Sequence, residues 1–168
     1  MVTAAVDARR LVESVPDPEM PMLTLADLGI VRGVEVDTDG TVAVTITPTY
    51  SGCPAIATIR ADITGTLRSH GYHHVRLDTV LSPAWSSDWI STEGRRKLRE
   101  HGYSLPGPAP RRDNGPVLLV LTARPRALTC PSCGSHDTRV VAEFGATLCK
   151  ALYRCAACHE PFEHVKEI

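Results

Sequence analysis

Residues 41–70 read TVAVTITPTYSGCPAIATIRADITGTLRSH, and this stretch decides the fold. Thr41–Thr47 alternates, with Val42, Val44 and Ile46 on one face, so it predicts a half-buried strand. Pro48, Gly52 and Pro54 then break the alternation. From Pro54 the period changes: Ile56, Ile59, Ile63 and Leu67 recur at spacings of three and four, one apolar helix face. Proline suits a first helical position, and Gly71 stops the helix after His70. Strand, tight turn and helix follow in order, with Cys53 at the head of the helix.

Working upstream, Asp37-Thr38-Asp39-Gly40 is a hairpin turn, and Ile30–Val36 is its partner strand. Thr24 is placed to cap a short helical turn through Leu25, Ala26 and Leu28 that ends at Gly29. Residues 3–14 suit a helix with Val6, Leu11 and Val12 on one side, broken by Asp17-Pro18-Glu19. Downstream, Val75, Leu77, Thr79 and Leu81 alternate as a third strand. A further helix opens at Ser91 or Thr92 and ends near His101. Trp85 and Trp89, four apart, read as a packed stripe. The order α–β–β–α–β–α is a small α+β sandwich.

Beyond residue 104 the composition changes. Leu105–Pro116 holds four Pro and two Gly, the make-up of a linker. A short strand is expected over Val117–Leu121. The expected organisation is a sandwich over 1–104, a linker and short strand over 105–126, and a small β-rich module over 127–168.

Five of the six cysteines fall in that last module. Cys130-Pro-Ser-Cys133 and Cys155-Ala-Ala-Cys158 are two C-x2-C turns separated by 21 residues. Each turn presents two thiolates to one point, and two such turns supply four soft ligands for a tetrahedral ion. Zn²⁺ fits the set, and so does the iron of a rubredoxin-like centre. A segment of this size cannot bury an adequate core unaided, so the ion is expected to be structural. His136, His159 and His164 read as surface or packed residues. Cys149, just ahead of the second turn, is an extra thiol that replaces a ligand or stays apart.

Cys53 is the second chemical candidate. Backbone N–H groups and the positive end of the helix dipole at a helix start favour a thiolate. A bare cysteine there also reads as a small buried hydrophobe, and both readings stand. Asp17 and Glu19 flank Pro18, where turn chemistry and capping are the plain reading.

The 168 residues are 43% hydrophobic and 22% charged, with a net charge of −1, which is globular composition without a basic field. Residues 124–168 carry six basic and five acidic side chains, so strong phosphate binding is not expected. The first fifteen residues hold Asp7, Arg9, Arg10 and Glu13 and no apolar core of a signal peptide. Thr41–Ile59, within the longest uncharged run, alternates and contains Pro48 and Pro54, so it is no membrane helix. The expectation is a cytoplasmic protein with metal-ligand or reactive thiols rather than disulfides. There is no G-x-S-x-G, no P-loop and no E-x-x-H pair for two irons.

The segments Asp17-Pro-Glu19-Met-Pro21, Leu25-Ala-Asp27-Leu-Gly29-Ile-Val31 and Thr47-Pro-Thr-Tyr-Ser-Gly-Cys53-Pro54 together resemble the MIP18 (DUF59) family over roughly residues 5–100. Pro83-Ala-Trp85-Ser-Ser-Asp-Trp89-Ile90, Glu143–Cys155 and Cys158-His-Glu-Pro-Phe162 further resemble the D (or J) subunits of bacterial phenylacetyl-CoA epoxidase systems. The resemblance implies a MIP18-like sandwich followed by a zinc ribbon. It implies a non-catalytic accessory subunit in aerobic phenylacetate catabolism that assists assembly or maintenance of an iron–sulfur or di-iron centre held by another subunit. Cys53 carries over as the functional thiol, with Asp17 and Glu19 as its acidic neighbours and a transient Fe–S cluster as cargo. The implied partners are the oxygenase or reductase subunits, with a homodimer kept open and neither membrane nor nucleic acid expected. Two other functions compete on the residues alone: a zinc-ribbon module that binds protein or nucleic acid, and a rubredoxin-like electron carrier.

Overall fold

The computed structural model describes residues 2–110 and 128–168. They fall into two compact units, Met1–Lys97 and Leu98–Ile168. The elements of the first are α1 (Val2–Glu13), α2 (Leu25–Leu28), β1 (Val31–Val36), β2 (Val42–Ile46), α3 (Ala55–Ser69), β3 (Val75–Thr79), a 3-10 turn (Ser87–Trp89) and the start of α4 (Thr92–Glu100). The α+β order read from the sequence is present.

β2 is the central strand. It pairs antiparallel with β1 and parallel with β3, so α3 is the crossover between two parallel neighbours, as parallel pairing requires. Val42, Val44 and Ile46 have no exposed surface. The β1–β2 hairpin closes through the Asp37 N–H donating to Thr41 O at 2.9 Å, with Gly40 at φ +83°. α3 buries Ala55, Ile59, Ile63 and Leu67, a strict four-residue stripe. Ile56, expected inside, is half-buried, and Ala55 takes its place. In α1 the inward residues are Ala8 and Val12, while Val6 is 44% exposed. In both helices an alanine, not the larger residue expected, is the buried one. α1 packs on β1 and α3.

The Asp27-Leu28-Gly29 segment is a joint. Thr24 and Asp27 form a reciprocal capping box around α2, and Gly29 ends it at φ +66°. Asp27 Oδ2 accepts from the Thr24 N–H at 2.9 Å and from Lys97 Nζ at 2.7 Å. Its backbone carbonyl accepts the Ser91 N–H at 2.8 Å, tying the start of α4 to α2. Trp85 is buried, its Nε1–H donating to Leu28 O at 2.8 Å. Trp89 sits on the 3-10 turn, half-buried under the Arg32 guanidinium at 4.0 Å. The two tryptophans therefore do not form the single packed stripe that their spacing suggests.

The second unit is a three-stranded antiparallel sheet in the order β4 (Thr138–Ala142), β5 (Lys150–Cys155), β6 (Pro161–Val165). Its core is Cys130, Ala151, Tyr153, Cys155 and Phe162. Tyr153 stacks on Phe162 with ring centroids 5.8 Å apart, and buried His164 meets Tyr153 edge-on. Ser104 bridges to β6 through the Ser104 N–H to Glu163 O at 2.9 Å and the Val165 N–H to Ser104 O at 3.1 Å. The strand expected over 117–121, and most of the linker expected over 105–126, lie outside the described residues.

Candidate functional sites: a four-thiol cluster and Cys53

In the second unit the two C-x2-C turns converge. The sulfurs of Cys130, Cys133, Cys155 and Cys158 all lie within 4.8 Å of one another. Cys130 and Cys158 are 3.7 Å apart, and Cys133 and Cys155 are 3.6 Å apart. Four sulfurs at about 2.3 Å from a tetrahedral ion stand about 3.8 Å from each other. The residues present therefore fit one zinc-sized ion.

The turns are built alike. The Gly134 N–H donates to Cys130 O at 2.9 Å and the His159 N–H to Cys155 O at 3.1 Å. The Cys130 N–H donates to Ser135 O at 2.9 Å and the Cys155 N–H to Glu160 O at 3.0 Å. Backbone N–H groups of Cys158 and Ala157, with neighbouring thiols, hold Cys155 down to about 7 against burial. Cys158 keeps a bond from the Glu160 N–H, yet burial and the thiols of Cys133, Cys155 and Cys130 push it up to about 12. Thiolates are the metal ligands, so a divalent ion bound here displaces whatever protons the four thiols carry.

The structure does not bring Cys149 into this cluster. It is buried, with Sγ 3.1 Å from Thr147 Oγ1. His136 contacts Thr129 Oγ1 through Nδ1 at 3.3 Å. His159 turns its backbone through φ +66°. Among the described residues no histidine joins the four sulfurs.

In the first unit Cys53 is half-buried, in the turn before α3. Its N–H donates to Tyr50 O at 3.2 Å, and Pro54 precedes the first helical residue. Asp17 is buried, and its Oδ1 accepts the Glu19 and Met20 N–H groups at 2.9 and 2.8 Å. The turn chemistry read for Asp17 is thus present. Its charge and that of Glu19 also reach Cys53.

Of the two readings left open for Cys53, the thiolate is not the favoured form at rest. Burial is the largest influence and pushes the Cys53 thiol up; the Ala55 N–H opposes it, and the Glu19 and Asp17 charges add to it. The helix start acts as anticipated, but desolvation and two carboxylates outweigh it. Thr49, whose side chain also bonds the thiol and lowers it, is missed by sequence reasoning. Its position four residues before Cys53 in the same turn is the only local signal.

Fold and sites together define a class: an iron–sulfur-assembly domain joined to a zinc β ribbon. Residues 6–75 match the family described as iron–sulfur cluster assembly protein, and residues 115–166 match the PaaD zinc beta ribbon domain. A solved DUF59 domain from Bacillus anthracis superposes with a TM-score of 0.54 at 25% identity, covering 58% of this chain and 92% of that one. The "Fe-S protein maturation auxiliary factor" of Porphyromonas gingivalis is 37% identical over 93 residues, 55% of this chain and 88% of that protein. The D subunit of the "Putative 1,2-phenylacetyl-CoA epoxidase" of Escherichia coli K12 is 40% identical over 156 residues, 93% of this chain and 88% of the relative. The chain belongs to the family of 1,2-phenylacetyl-CoA epoxidase D subunits. Among its described residues no helix is long and apolar enough to cross a membrane.

Proposed function

We propose that the chain is a non-catalytic accessory subunit of a phenylacetyl-CoA epoxidase system, assisting assembly or maintenance of an iron–sulfur or di-iron centre in the oxygenase or reductase subunits. One observation carries the reading. A single chain 40% identical to an epoxidase D subunit also matches an iron–sulfur assembly family over residues 6–75. Cys53 is the thiol of that segment, half-buried at the head of α3 beside two carboxylates. In this reading an iron–sulfur cluster is cargo that Cys53 holds transiently, with Asp17 and Glu19 as the acidic wall beside it.

Cys130, Cys133, Cys155 and Cys158 hold a structural Zn²⁺, and the support is the sulfur separation together with the ribbon match. Zinc closes all four positions and leaves no open site for substrate.

The test is growth on phenylacetate of a strain lacking this chain, with metal analysis of the epoxidase purified from it. Poor growth and an iron-depleted oxygenase or reductase are expected. Normal growth with full iron occupancy overturns the proposal.

A further inference from the structure

The ribbon carries a cleft beside the thiol cluster, with the buried Cys155 in its lining. β4 and β5 pair in a register that sets Arg139 directly opposite Arg154. Both are exposed. With Val141, Ala156 and His159 they line a cleft of about 660 Å³. Like charges directly opposed across two strands destabilise the pair. Among the described residues no carboxylate meets either guanidinium: Arg154 Nε donates to His159 O at 3.1 Å instead. Asp137, Glu143 and Glu160, the nearest acids in sequence, pair with neither. Val141 is 57% exposed on the same face, beside the arginines.

We infer that this cleft binds an acidic segment of a partner protein, two carboxylates meeting Arg139 and Arg154 while an apolar side chain covers Val141. Paired planar guanidinium groups suit carboxylates through two parallel hydrogen bonds each. The apolar strip and the small number of cations favour a peptide over a phosphate backbone, which rewards a longer basic track. Such a surface sets partner choice and association rate.

The experiment uses the zinc-loaded full-length chain and a fluorescein-labelled peptide, acetyl-Glu-Val-Glu-Val-Glu-amide, read by anisotropy at two salt concentrations. Saturable binding that weakens with salt is expected. Arg139→Glu with Arg154→Glu should weaken it at least tenfold, and the double variant should bind the matching Lys-Val-Lys-Val-Lys peptide instead. Arg68→Glu, on the exposed end of α3, should change nothing. Cobalt substituted for zinc reports by its thiolate absorption that each variant keeps the ribbon; if the double reversal does not, Arg139→Gln with Arg154→Gln replaces it and should still weaken binding tenfold. Unchanged affinity in folded variants, no binding at either salt, tighter binding of a twelve-base single-stranded DNA, or self-association through these arginines overturns the inference.

Discussion

Gly134 and His159 occupy the same place in two copies of one turn. Each follows the second cysteine of its C-x2-C pair, each is left-handed, at φ +76° and +66°, and each amide closes the turn on the first cysteine. Glycine adopts that backbone freely, whereas an L side chain there costs about 1–2 kcal/mol. His159→Gly is therefore expected to stabilise the zinc-bound ribbon by about 0.5–1 kcal/mol, the unfolded chain's added freedom taking back part of the gain. A higher denaturant midpoint with unchanged slope is the readout.

Gly29 is held from two sides. It sits at φ +66°, and a methyl group added to it would lie 2.7 Å from Trp89 O and 2.8 Å from Trp89 Cβ. Both neighbours belong to the 3-10 turn, so a flexible side chain cannot move aside. Gly29→Ala should cost about 2–4 kcal/mol and release Trp89 from Arg32. Urea titration followed by tryptophan fluorescence measures both.

Asp27 gives the first unit an acid limb. Burial alone would raise its carboxyl, but the Lys97 hydrogen bond and the Thr24 bonds overcome that and hold it below the usual carboxylate value of 3.8. With the folded value depressed, the unfolded chain binds more protons in acid. The contribution is complete above 3.8 and is lost as pH falls through the folded value. Asp27→Asn is expected to cost about 1–3 kcal/mol at neutral pH. Its stability should converge on that of the parent as pH falls below the folded value. Denaturant midpoints from about pH 2 to 7 check the sign, and parallel curves would reject it.

Local chemistry is legible in the sequence and tertiary context is not. Thr24 and Gly29 announce a cap and a stop within six residues, and the structure has both, adding Asp27 as the capping-box partner. The four ligand cysteines are equally plain, because two identical spacings carry their own geometry. Asp27 and Lys97 are 70 residues apart, and no periodicity links them. The α3 stripe reads one residue late because Ile56 is more apolar than Ala55, although the smaller side chain is the one that fits inside. His159 reads as a surface or packed residue in sequence, and its left-handed backbone angle makes it a turn residue. For Cys53 the helix start argues one way, and burial with Asp17 and Glu19, visible only in three dimensions, argues the other.

The ribbon should depend on its ion and the first unit should not. Structural zinc contributes on the order of 10 kcal/mol to modules of this kind, more than so small a core supplies. Purified protein is expected to carry one Zn²⁺ per chain. Cys155→Ser or chelation should abolish the near-ultraviolet signal of Tyr153 and leave the first unit folded. Both tryptophans, Trp85 and Trp89, lie in Met1–Lys97, so their fluorescence reports that unit alone. Simultaneous loss of both signals, or metal-free protein with an intact ribbon, would contradict the prediction.

Cys53 should be a slow thiol at neutral pH whose reactivity its acidic neighbours control. Burial and the Glu19 and Asp17 charges raise it, against the Ala55 N–H and the Thr49 bond. The thiolate is the nucleophile, so alkylation by iodoacetamide at about pH 7 should run slower than that of free cysteine and accelerate as pH rises through the elevated value. Glu19→Gln removes one charge without touching the Asp17 turn and should speed alkylation a few fold at low salt, less at high salt. Thr49→Val removes a stabilising bond and should slow it. Mass spectrometry of the Cys53 peptide separates it from the other thiols in zinc-loaded protein. A protonated resting thiol also suits a transient carrier: it leaves no permanent anion to bind stray metal, and a cluster that takes the sulfur must displace a proton. Cys53→Ala should therefore fold normally and fail to support growth on phenylacetate, whereas Glu19→Gln should retain growth. Fast alkylation at neutral pH, or normal growth with Cys53→Ala, would return this residue to the role of a packed small side chain.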